Sequence, residues 1–179
     1  MKKYIILGGF LLWVGGKALA QNASLEAFAP DEAWKKTIAG LAPMSVPVQV
    51  SKPHKILLFS LFTGFDHWVI PHANAVVEIL GQKTGAFEVV QSTDIGMFET
   101  ARLKEFDAIV LNNNCSRGDR RDLFYDALAN HADLSEQARI EKAAQLEKNL
   151  LRFVKKGGGL AVLHGGIVMQ NNSPEFSKW

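Results

Sequence analysis

Four short apolar runs constrain the fold more than any other feature of this sequence. They occupy residues 56–59 (Ile-Leu-Leu-Phe), 87–90 (Phe-Glu-Val-Val), 108–111 (Ala-Ile-Val-Leu) and 160–163 (Leu-Ala-Val-Leu). Near-continuous apolar runs of this length are typical of strands that are buried on both faces, as in a parallel sheet. The sequence therefore predicts a sheet whose strands run parallel.

Helical patterns fill the intervals between these runs. Helices are predicted over 71–83, 100–106 and 135–156, and the glycines at 157–159 end the last of them. Strands that alternate with helices predict a doubly wound α/β fold, a mostly parallel sheet with helices on both faces. The long connection over 113–134 has helical potential over 120–130, and we interpret its charged residues as a solvated face.

Composition narrows the class of protein. The chain has 179 residues, of which 47% are hydrophobic and 21% are charged. These values exclude a disordered, a collagen-like and a polytopic membrane protein, and the length predicts about one main domain. A lone cysteine, Cys115, excludes an intrachain disulfide and a CxxC metal site.

Residues 1–20 have the pattern of a signal peptide. Lys2 and Lys3 precede an apolar stretch over 4–16, and Ala18-Leu19-Ala20 forms a small-x-small cleavage site. The apolar stretch is shorter than the roughly 20 residues that span a bilayer. We therefore expect cleavage after Ala20 and a periplasmic or extracellular protein that has no membrane contact.

The remaining chain divides into an arm and a main domain. Residues 21–53 are predicted to be an arm or linker with a short helix over 31–41, followed by prolines that keep the chain extended. The α/β domain is predicted over 54–179. Without its three leader lysines the chain is close to neutral, so nothing in its charge points to nucleic acid.

Polar stretches follow three of the predicted strands, at 60–67, 112–114 and 164–166. Ligands bind beyond the carboxyl ends of the strands in open α/β sheets, so these stretches are predicted to meet at one rim. His164 precedes two glycines, as in a nucleophile elbow, and fits an acid, a base or a metal ligand as well as a core histidine. His67 carries the same alternatives, and we predict that the two rings lie within roughly 10 Å of each other.

Several motifs resemble the ThuA-like, trehalose-utilisation family of the class I glutamine amidotransferase-like superfold. They are Lys55–Ser60, Gly64-Phe65-Asp66-His67, Asp107–Val110 and the Gly-Gly-Gly strand that ends at His164. The resemblance covers residue 54 to the end and implies a flavodoxin-like fold. It also implies further strands and a final helix beyond Trp179, so an incomplete domain is expected.

The resemblance implies the use of trehalose, a related disaccharide or a keto-sugar, by a protein whose signal-peptide pattern predicts export. Its small-molecule carbohydrate would meet His67 and His164 as catalytic residues, or as ligands of a divalent metal such as zinc. The proposed substrate contacts are Thr63, Gly64, Asp66, Asn112, Asn113 and Gly165. Whether the reaction is a hydrolysis, a lyase reaction or an isomerisation stays open, as does the oligomeric state.

Two alternatives to an enzyme remain open. A non-catalytic sugar-binding or interaction module would use Trp68 for stacking and amides for hydrogen bonds, namely Asn112, Asn113, Asn114, Asn171 and Asn172. The chain could also be an inactive fragment. Glutaminase chemistry is not expected, because the elbow carries His164 where amidotransferases carry a cysteine. Cys115 is predicted to lie in a polar connection away from the elbow and to be dispensable.

Overall fold

The computed structural model describes residues 27–129 and 133–178. The predicted signal peptide and the start of the arm lie outside the described residues. A four-stranded, entirely parallel sheet forms the centre of the domain, in the order β2-β1-β3-β4. Its strands are β1 (His54–Phe59), β2 (Phe87–Ser92), β3 (Ala108–Asn112) and β4 (Gly159–Leu163). The predicted parallel sheet is therefore confirmed.

The described residues form five α-helices, of which α1 precedes the sheet and the others lie between its strands, and most begin and end close to where the sequence predicts. They are α1 (Glu32–Leu41), α2 (Ile70–Thr84), α3 (Thr100–Leu103), α4 (Leu123–Leu128) and α5 (Glu136–Lys155). Side chains of Asp31, Asp122 and Ser135 cap the N-termini of α1, α4 and α5 by accepting backbone N–H groups. Short 3-10 helices lie over Ile95–Phe98, His164–Val168 and Phe176–Lys178.

Helices cover both faces of the sheet. On one face, Phe59 of β1 and Leu111 of β3 are fully buried in a core with Leu146 and Leu150 of α5. On the other face lies Asn112, whose side chain reaches the carbonyl oxygen of Ile70 at the start of α2. The α/β fold with helices on both faces is therefore confirmed.

Burial on both faces holds only for the two central strands. β3 is buried along most of its length and β1 is buried over its last three residues, whereas every residue of β4 is exposed or half-buried. Ala161 and Val162 of β4 are exposed, Val162 to 40%. The prediction was wrong for β4, and also for β2, whose residues are all exposed or half-buried. Both are edge strands, and an apolar run does not reveal whether its strand lies at the centre or at the edge of a sheet.

The described part of the arm packs on α2. The Trp34 ring of α1 lies with its centroid 4.9 Å from that of His72, which is buried on α2. Lys83 Nζ donates to the carbonyl oxygen of Ala39 at 2.6 Å. None of the helices within residues 27–129 and 133–178 is both long and apolar enough to cross a bilayer.

Candidate functional site

His164 forms an elbow at the carboxyl end of β4. Its φ of 44° lies in the left-handed region, which a non-glycine residue rarely adopts. The two glycines that follow permit close packing: a Cβ at Gly165 would lie 2.5 Å from Cys115 Sγ, and one at Gly166 would lie 2.8 Å from the Leu111 oxygen. The strained residue is therefore the histidine itself, and the glycines let its turn sit against β3. His164 stays exposed above the sheet.

His67 meets His164 at this rim. The ring centroids lie 4.7 Å apart and the ring planes are nearly perpendicular, at 81°. This confirms the predicted convergence of two histidines that are distant in sequence. Burial and the His164 imidazole lower the pKa of His67 below its ordinary value of 6.5. His67 is therefore neutral near pH 7.

Asn113 fixes which nitrogen of His164 carries the hydrogen. Asn112 Nδ2 donates to the Ile70 oxygen at 3.1 Å, which leaves Asn112 Oδ1 to accept from Asn113 Nδ2 at 2.6 Å. Asn113 must then present Oδ1 to His164 Nδ1, 2.9 Å away. Because an amide oxygen only accepts, His164 Nδ1 carries the hydrogen and Nε2 of the neutral ring carries the lone pair.

Asn112 and Asn113 lie buried beneath the site and hold His164 in place. Asn112 is fully buried and Asn113 is 2% exposed, and their side-chain amides are hydrogen-bonded within the protein. Asn113 has a φ of 56°, so the chain turns sharply where β3 ends. These contacts place Asn113 in direct contact with His164 and place Asn112 behind it, instead of on the ligand side as we had predicted.

Cys115 lies inside the site. Its Sγ is 3.4 Å from His67 Nε2 and 3.9 Å from the Gly165 oxygen, and the residue is buried. The expectation that it lies away from the elbow was wrong, because the chain after β3 folds back onto the loop after β1. Burial raises the pKa of the Cys115 thiol, and this outweighs the opposing effect of Arg121, so the thiol is protonated near pH 7.

Asp126 joins the two loops that carry these groups. Its Oδ2 accepts from the Thr63 and Ser116 hydroxyls, both at 2.8 Å, and from the backbone N–H groups of Arg117 and Gly118. Burial alone would raise the pKa of Asp126, but these hydrogen bonds together hold it below 3.8. We had assigned Asp126 to a solvated face, and that assignment was wrong.

Thr63 and Gly64 hold the same junction through their backbone. Both N–H groups donate to the Cys115 oxygen, at 3.0 and 2.9 Å. A Cβ at Gly64 would lie 3.0 Å from the Ser116 oxygen, so the absence of a side chain permits the close approach. Both residues therefore bring the two loops together.

The remaining predicted residues differ in exposure. Asp66 is exposed beside His67, and it opposes the lowering of the His67 pKa. Trp68 packs against Phe28 and His72 with centroid distances of 5.6 and 5.3 Å, so its ring supports the arm. Phe65, which we did not single out, is 68% exposed and lies 4.6 Å from the His67 ring.

A groove extends from His164 along the open edge of the sheet. Its volume is about 790 Å³, and its walls are largely apolar. The lining comes from α5, β4 and the segment after β4, with Val154, Val162 and Ile167 among its members. The elbow histidine is thus the titratable side chain at one end of an apolar groove.

The side chains that the structure describes at this rim do not form a metal centre. Within residues 27–129 and 133–178, no group of three or more His, Cys, Asp or Glu side chains is placed to hold a metal ion. A catalytic zinc site commonly has three protein ligands. The expected zinc site at His67 and His164 therefore does not fit the donors described.

The parallel flavodoxin-like sheet and the histidine elbow at its carboxyl edge define an α/β protein with an amidotransferase-like fold. The model of the ThuA family, described as trehalose utilisation, matches residues 55–179. The chain belongs to the ThuA family, and this membership supports a role in carbohydrate utilisation. No curated protein and no solved structure showed significant similarity to the chain.

Proposed function

We propose that this protein is an enzyme that moves a proton on a disaccharide or keto-sugar bound at His67 and His164. One observation carries the proposal. The hydrogen bond between His164 Nδ1 and Asn113 Oδ1 leaves the Nε2 lone pair on an exposed imidazole, next to a second imidazole. A general base needs such a lone pair within reach of the substrate.

The two histidines take different roles. His164 Nε2 removes a proton from the carbon beside the sugar carbonyl, and the electron pair of the C–H bond moves towards the carbonyl oxygen. The protonated His164 then returns a proton to this enolate, which gives an epimeric or isomeric sugar. The neutral ring of His67, whose pKa is lowered, donates an N–H hydrogen bond to that oxygen as negative charge develops.

Exposed groups around the histidines suit a sugar. Phe65 offers an aromatic face beside His67, and the apolar face of a pyranose packs well on such a ring. Asp66 offers a carboxylate that accepts hydrogen bonds from sugar hydroxyls. We therefore place one sugar ring over Phe65 with its reacting carbon towards His164.

The proposed enzyme is exported. The support is the basic start, the short apolar stretch and the Ala18-Leu19-Ala20 site. N-terminal sequencing of the protein secreted from its natural host should show a chain that begins at Gln21. Exported material that retains Met1 would contradict this part of the proposal.

The geometry favours an enzyme over a sugar-binding module. The module would depend on amides and on the Trp68 ring, but Asn112, Asn113 and Asn114 are buried and Trp68 packs against Phe28. Asn171 and Asn172 are exposed. Among the side chains at this rim, the two imidazoles are the ones that suit proton transfer.

Turnover of trehalose, and of trehalose in which one hydroxyl is oxidised to a ketone, tests the proposal. Each sugar is incubated with the purified chain, and its loss is followed by chromatography. We expect loss of at least one sugar, and a decrease of at least about 100-fold in its rate in His164→Ala. His54→Ala is the matched control because His54 is exposed at the start of β1. Equal rates in both variants would contradict the role of His164.

A further inference from the structure

We propose that Glu78 is a positioning residue for His164 and acts through a chain of side-chain amides. The inference rests on the proposed function, in which His164 is the base. The links run from the elbow to Glu78 on α2. In order they are His164 Nδ1 to Asn113 Oδ1, Asn113 Nδ2 to Asn112 Oδ1, Asn112 Nδ2 to Asn74 Oδ1, Asn74 Nδ2 to Gln91 Oε1, and Gln91 Nε2 to Glu78 Oε1.

Every link in this chain has hydrogen-bonding length. The distances, in the same order, are 2.9, 2.6, 2.8, 3.0 and 2.6 Å. The residues come from the elbow, the end of β3, α2 and β2, so the chain crosses from one edge of the sheet to the other. Asn112 and Asn113 are buried, whereas Glu78 is half-buried and Gln91 is exposed.

The direction of the chain is fixed independently from both ends. Near the elbow, the Ile70 oxygen accepts from Asn112 Nδ2 and so fixes the Asn112 amide. At the far end, the Glu78 carboxylate only accepts, so Gln91 presents Nε2 to it and Oε1 to Asn74. The two ends agree: each side chain donates towards Glu78.

A one-way chain that ends on an anion favours one tautomer of His164. Each hydrogen bond polarises the next, so the negative charge of Glu78 strengthens every N–H donor behind it, including His164 Nδ1–H. Reversing the direction of the hydrogen bonds would turn one amide oxygen towards the Glu78 carboxylate and another towards the Ile70 oxygen. Acceptors would then face acceptors at both places. Glu78 thus holds the lone pair on Nε2 without touching the site.

The Ser60 hydroxyl strengthens the middle of the chain. It donates to Asn74 Oδ1 at 2.8 Å, which is the oxygen that also accepts from Asn112. With both donors on one oxygen, Asn74 has its nitrogen left for Gln91. The sequence gives a partial signal for this residue, because Asn74 is a polar position one turn after the buried start of α2.

The test measures the tautomer of the His164 ring and needs no sugar. Two-bond ¹H–¹⁵N spectra of the full chain report the tautomer, because the two ring nitrogens differ in shift when one carries the hydrogen. Glu78→Gln removes the charge, and Gln91→Leu interrupts the chain. The control is Glu88→Gln, since Glu88 is an exposed glutamate on β2 outside the chain of amides.

We expect wild type and Glu88→Gln to show the Nδ1–H form of His164. In Glu78→Gln and Gln91→Leu, the Nδ1 and Nε2 shifts should move towards each other as the Nε2–H form gains population. Sugar turnover, where wild type shows it, should fall roughly 2- to 10-fold, as expected for one weakened hydrogen bond.

Unchanged ring nitrogen shifts in both variants would overturn the inference. Chemical shifts of core residues far from α2 verify that each variant is folded. Failure of the proposed function is seen separately. A wild-type chain that turns over no sugar counts against the enzyme, while the tautomer result still decides the role of Glu78.

Discussion

His67 Nε2 and Cys115 Sγ lie 3.4 Å apart, so the only thiol of the chain contacts one of the two rim histidines. The contact arises because the backbone after β3 returns to the loop after β1, where the Cys115 oxygen accepts from Thr63 and Gly64. The thiol is buried and its pKa is raised, so it supports His67 as a neutral group. Because the thiol stays protonated, the contact between Cys115 and His67 does not make Cys115 a thiolate nucleophile.

The first prediction concerns that thiol. Cys115→Ser should keep sugar turnover within about threefold of wild type, since a protonated thiol supplies no nucleophile and serine keeps a donor beside His67. Steady-state rates on the oxidised trehalose measure the effect. A loss of 100-fold or more in a folded variant would restore thiol chemistry as the mechanism.

The second prediction tests the packing of Cys115 against the elbow. Gly165→Ala puts a Cβ 2.5 Å from Cys115 Sγ, so the variant should lose about 1–3 kcal/mol of unfolding free energy. In a Cys115→Ala background the same change should cost clearly less, because the clashing sulfur is gone. Urea unfolding of all four chains gives the coupling. If the losses of unfolding free energy in the two single variants simply add in the double variant, the contact with Cys115 Sγ does not determine the cost of Gly165→Ala.

The third prediction concerns the pH dependence of stability. The pKa of His67 is lowered in the folded chain, so the unfolded chain binds a proton first as the pH falls. The contribution of His67 to stability is therefore complete above its unfolded pKa of 6.5 and is lost progressively as the pH falls below 6.5.

NMR titration of wild type and His164→Ala measures the pKa of His67 that underlies this pH dependence. Burial remains in the variant but the neighbouring imidazole is removed, so the pKa of His67 should rise part of the way towards 6.5. His54→Ala should leave that pKa unchanged. A His67 pKa at its ordinary value in wild type would contradict a half-buried ring paired with His164.

The fourth prediction concerns the junction at Asp126. Asp126→Asn replaces an oxygen that accepts four hydrogen bonds, so the unfolding free energy should fall by roughly 2 kcal/mol. Asp119→Asn is the control, because Asp119 is exposed in the same connection.

The same junction gives a second measurement. The buried thiol should react faster with a thiol reagent in Asp126→Asn, since the loops around Cys115 are no longer tied together. A Cys115 that stays as protected as in wild type would show that other contacts hold the loops.

The helices were predictable because their signals are local. Ser135 caps α5 and Gly157 follows its end, with a φ of 98°, so sequence and structure agree within one residue. The convergence of His67 and His164 was also predictable, because parallel strands place their carboxyl ends on one rim.

What the sequence did not reveal depends on how distant segments meet. Cys115 comes directly after the asparagines that we selected, but its contact with His67 depends on the backward fold of an irregular segment. Asp126 looks like any charge on a short helix, and only the structure shows four donors converging on one oxygen. In the same way, β4 is exposed because it lies at the edge of the sheet, and its apolar sequence does not reveal that position.

Deuterium transfer from solvent tests the role of His164 most directly. Oxidised trehalose is incubated in D₂O with wild type, His164→Ala and His54→Ala, and ¹H NMR follows the hydrogen on the carbon beside the carbonyl. Wild type and His54→Ala should replace that hydrogen with deuterium well above the protein-free rate, and His164→Ala should not. Exchange that is as fast in His164→Ala as in wild type would contradict the assignment of His164 as the base.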